Sequence, residues 1–286
     1  MIYVKYSPST NLGNWLFQYA VARSVDDEVA FYVNCRVAPG RFDNLKRILP
    51  DVAFVTSLPD GTVRYKDPAR PDALPSVRPL LIENCFQYPE LFDEHKIRRL
   101  FACPESVRRY LTERYGRVMY GRNCVGVSVR RGDYLKLPHR HPFVGTHYLK
   151  RAVGCFPADS LFVVCSDDIA WCKRFFSGKR FPGVEFLFVE NEGVLEQLYI
   201  HTLCTHNIVS NSSFSWWGAW LNPNPEKRVV FPSRWYGPAV VESAQSLYFA
   251  GCEIVRSYYS CSTLFGMWMC VLKLSVGNML RRMRLR

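Results

Sequence analysis

The sequence predicts an α/β protein made of two halves, each a parallel sheet covered by helices and facing the other across a cleft. Three observations predict it. Between residues 123 and 236, short β-rich runs alternate with helical stretches at the spacing of strand–helix–strand units. The runs at 125–129 (VGVSV) and 161–165 (LFVVC) are almost wholly apolar, as expected of strands covered on both faces. With 286 residues, 48% of them hydrophobic, the chain can fill one large domain or two modest ones.

The elements follow in order. Residues 2–6 read as a strand and 14–24 as a helix behind a polar loop. The stretch 59–79 holds Pro59, Pro68, Pro71, Pro75 and Pro79 and reads as a loop. A strand is expected at 80–83, then helical residues at 90–101. The clearest boundary lies at 120–123, between a charged helix and the strand VGVSV. Beyond it the sequence predicts strands at 125–129 and 161–165, a helix at 169–176, a strand at 184–189, a helix at 193–204 and a short strand at 208–209. A Trp-rich helix through Leu221 and a strand at 228–231 close the series. The expected division is 1–121, 122–240 and a tail, 241–286. Ligands of such sheets sit beyond the carboxyl ends of the strands.

Composition excludes several classes. Gly (17) and Pro (18) are near average, which argues against a fibrous or disordered chain. The opening MIYVKYS shows no secretory signal pattern. The 11 cysteines include no CxxC pair, so they read as small buried hydrophobes of a cytoplasmic protein rather than a zinc ribbon or disulfide framework. Of the net charge of +12, six units come from Arg256, Lys273, Arg281, Arg282, Arg284 and Arg286, with no acidic residue after Glu253. That concentration, and the lack of RNP, KH or helix-turn-helix patterns, excludes a nucleic-acid partner. The apolar run 264–274 is shorter than the ~20 residues needed to span a bilayer. With Trp268 and the arginines behind it, residues 257–286 suit an interfacial helix on an anionic membrane surface. The alternative is a helix docked on the body with a solvated end.

Two segments carry chemistry. Ser128-Val129-Arg130-Arg131-Gly132-Asp133-Tyr134 follows a predicted strand. Two guanidinium groups at a strand's carboxyl end are placed to hold a phosphate, unless Arg131 pairs with Asp133. Asn211-Ser212-Ser213-Phe214-Ser215-Trp216-Trp217-Gly218-Ala219-Trp220-Leu221-Asn222 starts a helix with three serines. Free N–H groups and hydroxyls there make an anion site, or simply a cap.

In this order the two segments resemble the α-1,2-fucosyltransferase family (glycosyltransferase family 11), whose members carry HxRRxD and NSSFSWWGAWLN. Asn11-Leu12-Gly13-Asn14-Trp15-Leu16-Phe17-Gln18-Tyr19-Ala20 is similar to the family's GGLGNQMFQYA. Cys85-Phe86-Gln87 is similar to GYFQ, and Ser166-Asp167-Asp168 with Trp171-Cys172 to SDDxxWC. The resemblance covers residues 1 to about 236. It implies a GT-B-like fold, with 1–121 on the acceptor side and 122–240 binding the nucleotide sugar. It further implies inverting transfer of L-fucose from GDP-fucose to a hydroxyl of a galactose-containing glycan; the tail adds the expectation that this occurs at a cytoplasmic membrane face. On this reading Arg130, Arg131 and Asp133 are catalytic, and Asp133 is the nearest carboxylate to serve as general base. Gly13, Asn14, Ser128, Asp168, Gln197, Ser212, Ser213, Phe214 and Ser215 join the arginines in holding the donor. Arginines and a helix N-terminus can neutralise a leaving diphosphate without a metal, so no metal or other cofactor is expected. His139 and His141 read as a loop beside the cleft rather than as metal ligands.

The chain also departs from the family. Ser128 stands where the family has histidine, and Gln197 where it usually has aspartate. Trp15 replaces a glutamine, and the first two glycines are absent. These changes leave open a different donor, or a relative that binds a nucleotide sugar without transfer.

Overall fold

A computed structural model describes residues 1–66, 73–240 and 243–284, with side chains through residue 273. Pro68 and Pro71, and the side chains of Arg281, Arg282, Arg284 and Arg286, lie outside the described residues.

The first half contains β1 (Ile2–Lys5), α1 (Leu12–Val25), β2 (Val29–Tyr32), α2 (Asp43–Ile48), β3 (Ala53–Val55), β4 (Val63–Tyr65) and β5 (Leu80–Ile82). Its strands are parallel in the order β3-β2-β1-β5-β4. Strand β4 corrects the sequence expectation of a loop across 59–79. Its Val-Arg-Tyr is too short to show an alternation, and it gains order by pairing with β5 at the sheet edge. Helix α1 begins at Leu12 rather than Asn14, so Gly13 and Asn14 stand in its first turn. From Leu12 to Ala22 all its residues but Asn14 are buried, which suits a helix apolar on every side.

Helices α3 (Glu94–Leu100) and α4 (Glu105–Met119) carry the chain to the second half. Although it precedes the boundary at 120–123, α4 leans on the second half. Tyr115 donates its hydroxyl to Glu192 Oε1 at 2.7 Å, and Arg114 pairs with the same oxygen at 2.6 Å.

The second half comprises β6 (Cys124–Val129), α5 (Thr146–Val153), β7 (Leu161–Ser166), α6 (Ile169–Phe175), β8 (Glu185–Phe188), α7 (Val194–Tyr199), β9 (His206–Ile208), α8 (Ser213–Leu221), β10 (Val229–Pro232) and β11 (Glu253–Val255). These strands too are parallel, ordered β11-β10-β9-β6-β7-β8. The sheet therefore continues past residue 240, where the sequence suggested its end. Strand β11 pairs with β10 in register Val230↔Glu253, and the tail proper follows it as α9 (Cys261–Arg284).

Each sheet has one place where strand order reverses. In the first it lies between β1 and β5, in the second between β6 and β9. Loops leaving such neighbours diverge to opposite faces and open a crevice at their carboxyl ends. The two crevices meet where α1 packs on α8. There Phe17 lies 4.7 Å from the Trp216 ring and 4.9 Å from Trp217, and the Trp217 indole donates to the Gly13 carbonyl at 2.9 Å.

Candidate active site

The end of β6 delivers Arg130 and Arg131, and the end of β7 delivers Asp167 and Asp168. One carboxylate ties the two loops together. Asp167 accepts from the backbone N–H of Arg131 (2.8 Å) and of Gly132 (3.0 Å), and pairs with Arg130 at 3.2 Å. Gly132 is required for this grip, since a Cβ there would stand 2.8 Å from Asp167 Oδ2. The turn after Gly132 folds Asp133 back onto Arg130, at 2.9 Å. The expected alternative of an Arg131–Asp133 pair is thus corrected. Asp133 pairs with Arg130, while Arg131 binds Asp168.

The two arginines are differently held. The Arg131 guanidinium lies 4.8 Å over the Trp171 ring and 5.8 Å over Phe143, bound to Asp168. Asp168 is itself fixed, accepting from Trp171 N–H at 3.2 Å as the cap of α6. Arg131 is therefore locked in place. Arg130 stacks 5.7 Å over Tyr134 and is less enclosed, its side chain 33% exposed. Its two carboxylate neighbours hold its pKa up against the opposing effect of burial.

Across the reversal point, the Tyr134 hydroxyl donates to the Asn211 carbonyl at 2.9 Å. Burial pushes the Tyr134 phenol well up, so it remains a neutral donor. Asn211 anchors the turn before α8, its amide donating to the carbonyls of Pro142 and Trp235, both at 2.8 Å. The Ser215 hydroxyl is used internally, donating to Ser210 O (2.9 Å) and Ser212 O (3.0 Å). Ser212 precedes the helix and makes no side-chain cap bond. The first N–H groups of α8, from Ser213 and Phe214, have no partner within the helix.

Against that first turn lies the first turn of α1. A Cβ on Gly13 would stand 2.6 Å from Phe214 N and 2.7 Å from Ser213 Oγ. Two helix N-termini, each carrying a partial positive charge, thus abut, and Tyr134, over which Arg130 stacks, bonds the turn that precedes the second of them. A polar chain closes the other side. Asn14 Oδ1 accepts from Gln87 Nε2 at 2.9 Å, and Gln87 Oε1 accepts from the Tyr236 hydroxyl at 2.7 Å. The His141 ring stands 6.2 Å from Tyr236 and stacks 5.4 Å from Tyr134. Burial first, then Arg140, lowers the His141 pKa and favours the neutral ring.

The structure therefore gathers Gly13, Asn14, Arg130, Arg131, Asp133, Asp168, Ser212, Ser213, Phe214 and Ser215. Of the other two expected residues, Ser128 is buried in β6 on the strand face it shares with Arg130, and the Gln197 amide donates to the Glu192 carbonyl at 3.0 Å. The sequence reading gave no role to Tyr134, Gln87, Tyr236 or Trp171. Tyr134 was within reach, as the aromatic closing the Arg-Arg segment. Among the described residues no cluster of three or more His, Cys, Asp or Glu could hold a metal ion.

Two parallel sheets with facing reversal points, and arginines at the end of β6, are an architecture that glycosyltransferases share. The chain belongs to glycosyl transferase family 11, whose profile matches residues 82–247. It is 31% identical over 166 residues to the O-antigen biosynthesis glycosyltransferase WbnK of Escherichia coli, a match covering 53% of each chain. It is 30% identical over 163 residues to an alpha-1,2-colitosyltransferase of Escherichia coli, covering 53% of this chain and 54% of that one. Galactoside alpha-(1,2)-fucosyltransferase 1 of Homo sapiens is 32% identical over 139 residues, covering 44% of this chain and 38% of that one. The chain spans about half the length of the bacterial relatives it matches. In three dimensions it is similar to NodZ alpha-1,6-fucosyltransferase, with a TM-score of 0.51 at 17% identity over 77% of this chain and 92% of that one. That likeness establishes the two-sheet, GT-B-like fold.

Proposed function

We propose that this protein transfers L-fucose from GDP-fucose to a galactoside hydroxyl of a glycan, forming an α-1,2 linkage with inversion. Family membership and relatives that form α-1,2 linkages support the reaction class. The observation that carries the donor reading is the abutment of two helix N-termini, α1 and α8, next to the turn that Tyr134, the ring under Arg130, reaches with its hydroxyl. Such a junction is electrostatically costly unless an anion lies near it, and the leaving group of GDP-fucose is a diphosphate.

In this mechanism Arg130 and the first N–H groups of α8 take up the negative charge that grows on the diphosphate as the glycosidic bond breaks. Arg131, locked by Asp168 and Trp171, holds the β6 loop in register with β7. This compensation comes from the chain itself, and we infer transfer without a metal. Two groups flanking Arg130 and Tyr134 can receive the acceptor proton. Asp133 is the nearest carboxylate but is engaged by Arg130, whereas His141 is held neutral in the wall of Tyr134 and Tyr236. Asp133→Asn and His141→Asn separate them. Loss of the base removes the fall in rate at acidic pH, while loss of an orienting group lowers the rate and leaves the profile's shape intact.

A second reading has a specific observation behind it. Ser128 is buried in β6 and the Gln197 amide is engaged by the Glu192 carbonyl, and one relative is named for colitose transfer. A different sugar on the nucleotide, or binding without transfer, follows if base or sugar contacts have changed.

A thermal-shift panel of GDP, UDP, ADP, CDP and TDP in EDTA tests the donor. A ligand that binds only the folded protein at 100 times its Kd stabilises it by about 2.7 kcal/mol. A shift for GDP alone supports the proposal, and a shift for another nucleotide replaces the donor. A shift that needs a divalent cation overturns the metal-free mechanism. Arg130→Ala is expected to lower transfer by about 10²–10³-fold with little change in melting temperature. Near wild-type turnover would sink the role given to Arg130.

A further inference from the structure

Helix α9 is held to the body along one edge and bare along another. Met267 is buried, and a Cβ on Gly266 would stand 3.5 Å from Pro138 Cγ. At 3.6 residues per turn, Leu264, Phe265, Trp268 and Leu272 fall on a different arc of the helix. They are 49%, 63%, 59% and 43% exposed. Four large apolar side chains, two of them aromatic, thus share one solvent-facing stripe. The chain next to the stripe is cationic, with Lys273 and then Arg281, Arg282, Arg284 and Arg286, and no Asp or Glu after Glu253.

We propose that α9 lies flat on an anionic lipid bilayer, seating Leu264, Phe265, Trp268 and Leu272 at the boundary between headgroups and acyl chains. Amphipathic helices with Trp and Phe on one face and cations nearby bind in this plane, and each Lys or Arg near an anionic surface adds attraction. Spanning is not the alternative, because among the described residues no helix is long and apolar enough to cross a membrane. Pairing with a second copy would bring two uniformly basic tails together, which charge opposes.

The anchor is also a placement device. Pro138, which touches α9, begins the stretch that leads to His141, whose ring stacks on Tyr134 at the crevice. Docking α9 sets that mouth beside the bilayer, so the acceptor class is a galactoside carried on a lipid. This last clause rests on the transferase reading; the docking itself does not.

Flotation of the full chain tests the docking, using vesicles of phosphatidylcholine with phosphatidylglycerol and of phosphatidylcholine alone at near-physiological salt. The wild type is expected to float with the anionic vesicles. Phe265→Ser with Trp268→Ser, and separately Arg281→Gln, Arg282→Gln, Arg284→Gln and Arg286→Gln together, should each lower partitioning by about tenfold or more. An unchanged GDP thermal shift shows the variants to be folded. A wild type that stays behind, or variants that float equally well, overturns the docking. So does a dimer that Phe265→Ser with Trp268→Ser converts to monomer without changing flotation. For the acceptor, the variants should lose transfer to a vesicle-borne galactoside and keep transfer to a soluble one. Equal loss of both overturns the placement. Absence of transfer to either in the wild type counts against the transferase reading instead, with flotation still deciding the docking.

Discussion

Helices α8 and α9 look alike as strings of letters. Each follows a polar, serine-containing turn, each is apolar, and each carries tryptophan. In the fold they are opposites. Helix α8 is buried from Ser215 through Leu221, enclosed by α1 and the β9 side of its sheet, and its N-terminal turn is set against the first turn of α1. Helix α9 touches the body along one narrow edge and shows Phe265 and Trp268 to solvent. Apolar composition therefore does not decide burial. A matching apolar surface does: α8 has one in the equally apolar α1, and α9 has none within the described residues.

The strongest test of this contrast is to remove one tryptophan from each helix. Trp217 is fully buried, in ring contact with Phe17 (4.9 Å), Phe92 (5.5 Å) and Phe101 (5.2 Å). Its indole N–H also caps the Gly13 carbonyl. Trp217→Ala removes that packing and leaves a cavity, and is expected to destabilise by about 3–5 kcal/mol in denaturant unfolding. Trp268→Ala in α9 should stay within about 0.5 kcal/mol of wild type. Similar losses at the two sites would erase the distinction between the helices.

The next effect sharpens how tightly α8 is seated. His201 lies beneath it, buried, with its Nε2 unpartnered. A Cβ on Gly126 of β6 would stand 2.5 Å from His201 Nδ1, and one on Gly218 of α8 would stand 3.0 Å from His201 Cβ. Burial pushes the His201 pKa down to about 4, against about 6.5 in an unfolded chain. Between those values the unfolded state binds more protons, so stability rises with pH. The contribution is complete above about pH 6.5 and is lost as pH falls through about 4, for a total of roughly 3 kcal/mol. Denaturant midpoints measured from pH 7 to pH 4 should show this acid limb, and His201→Phe should flatten it. His141 and His206, also lowered by burial, and Glu185, lowered by Arg122, contribute to the slope that remains.

Much of this was legible in the sequence, and the reasons differ by region. The second half announced itself because its strands are apolar on both faces and its motif residues sit at their ends, as Arg130 and Asp168 do. The first half was harder. Strands such as Ala53–Val55 and Val63–Tyr65 are three residues long, too short to carry a period, and exist because neighbours pair with them. Residue type exposed the ion pairs of the site but not their partners. Arg130 and Arg131 are adjacent in sequence, yet only the β7 loop determines which carboxylate each meets. The wall of Asn14, Gln87, Tyr236 and His141 was likewise hidden, because it joins four segments far apart in the chain. Nor could a pattern show that the Gln197 amide, at a position where the family usually has aspartate, is taken up by the Glu192 carbonyl.

The last comparison sets the α1–α8 contact against a substitution of a single methyl group. Gly13 is helical, so alanine would ordinarily be favourable there by about 1 kcal/mol. Here the added Cβ would meet Phe214 N, a backbone atom, at 2.6 Å, and backbone cannot swing aside as a flexible side chain can. Either α1 moves off α8 or the serine turn opens. Overpacking of this kind costs about 1–3 kcal/mol, so Gly13→Ala should lower the melting temperature modestly. It should do more to ligand binding, because the displaced turn holds the Ser213 and Phe214 N–H groups assigned to the diphosphate. The GDP thermal shift is therefore expected to shrink beyond what the lost stability explains. A variant that keeps the full GDP shift while losing stability would place the diphosphate away from this junction. It would leave Arg130 as the main anion contact and reduce the α1–α8 abutment to packing alone.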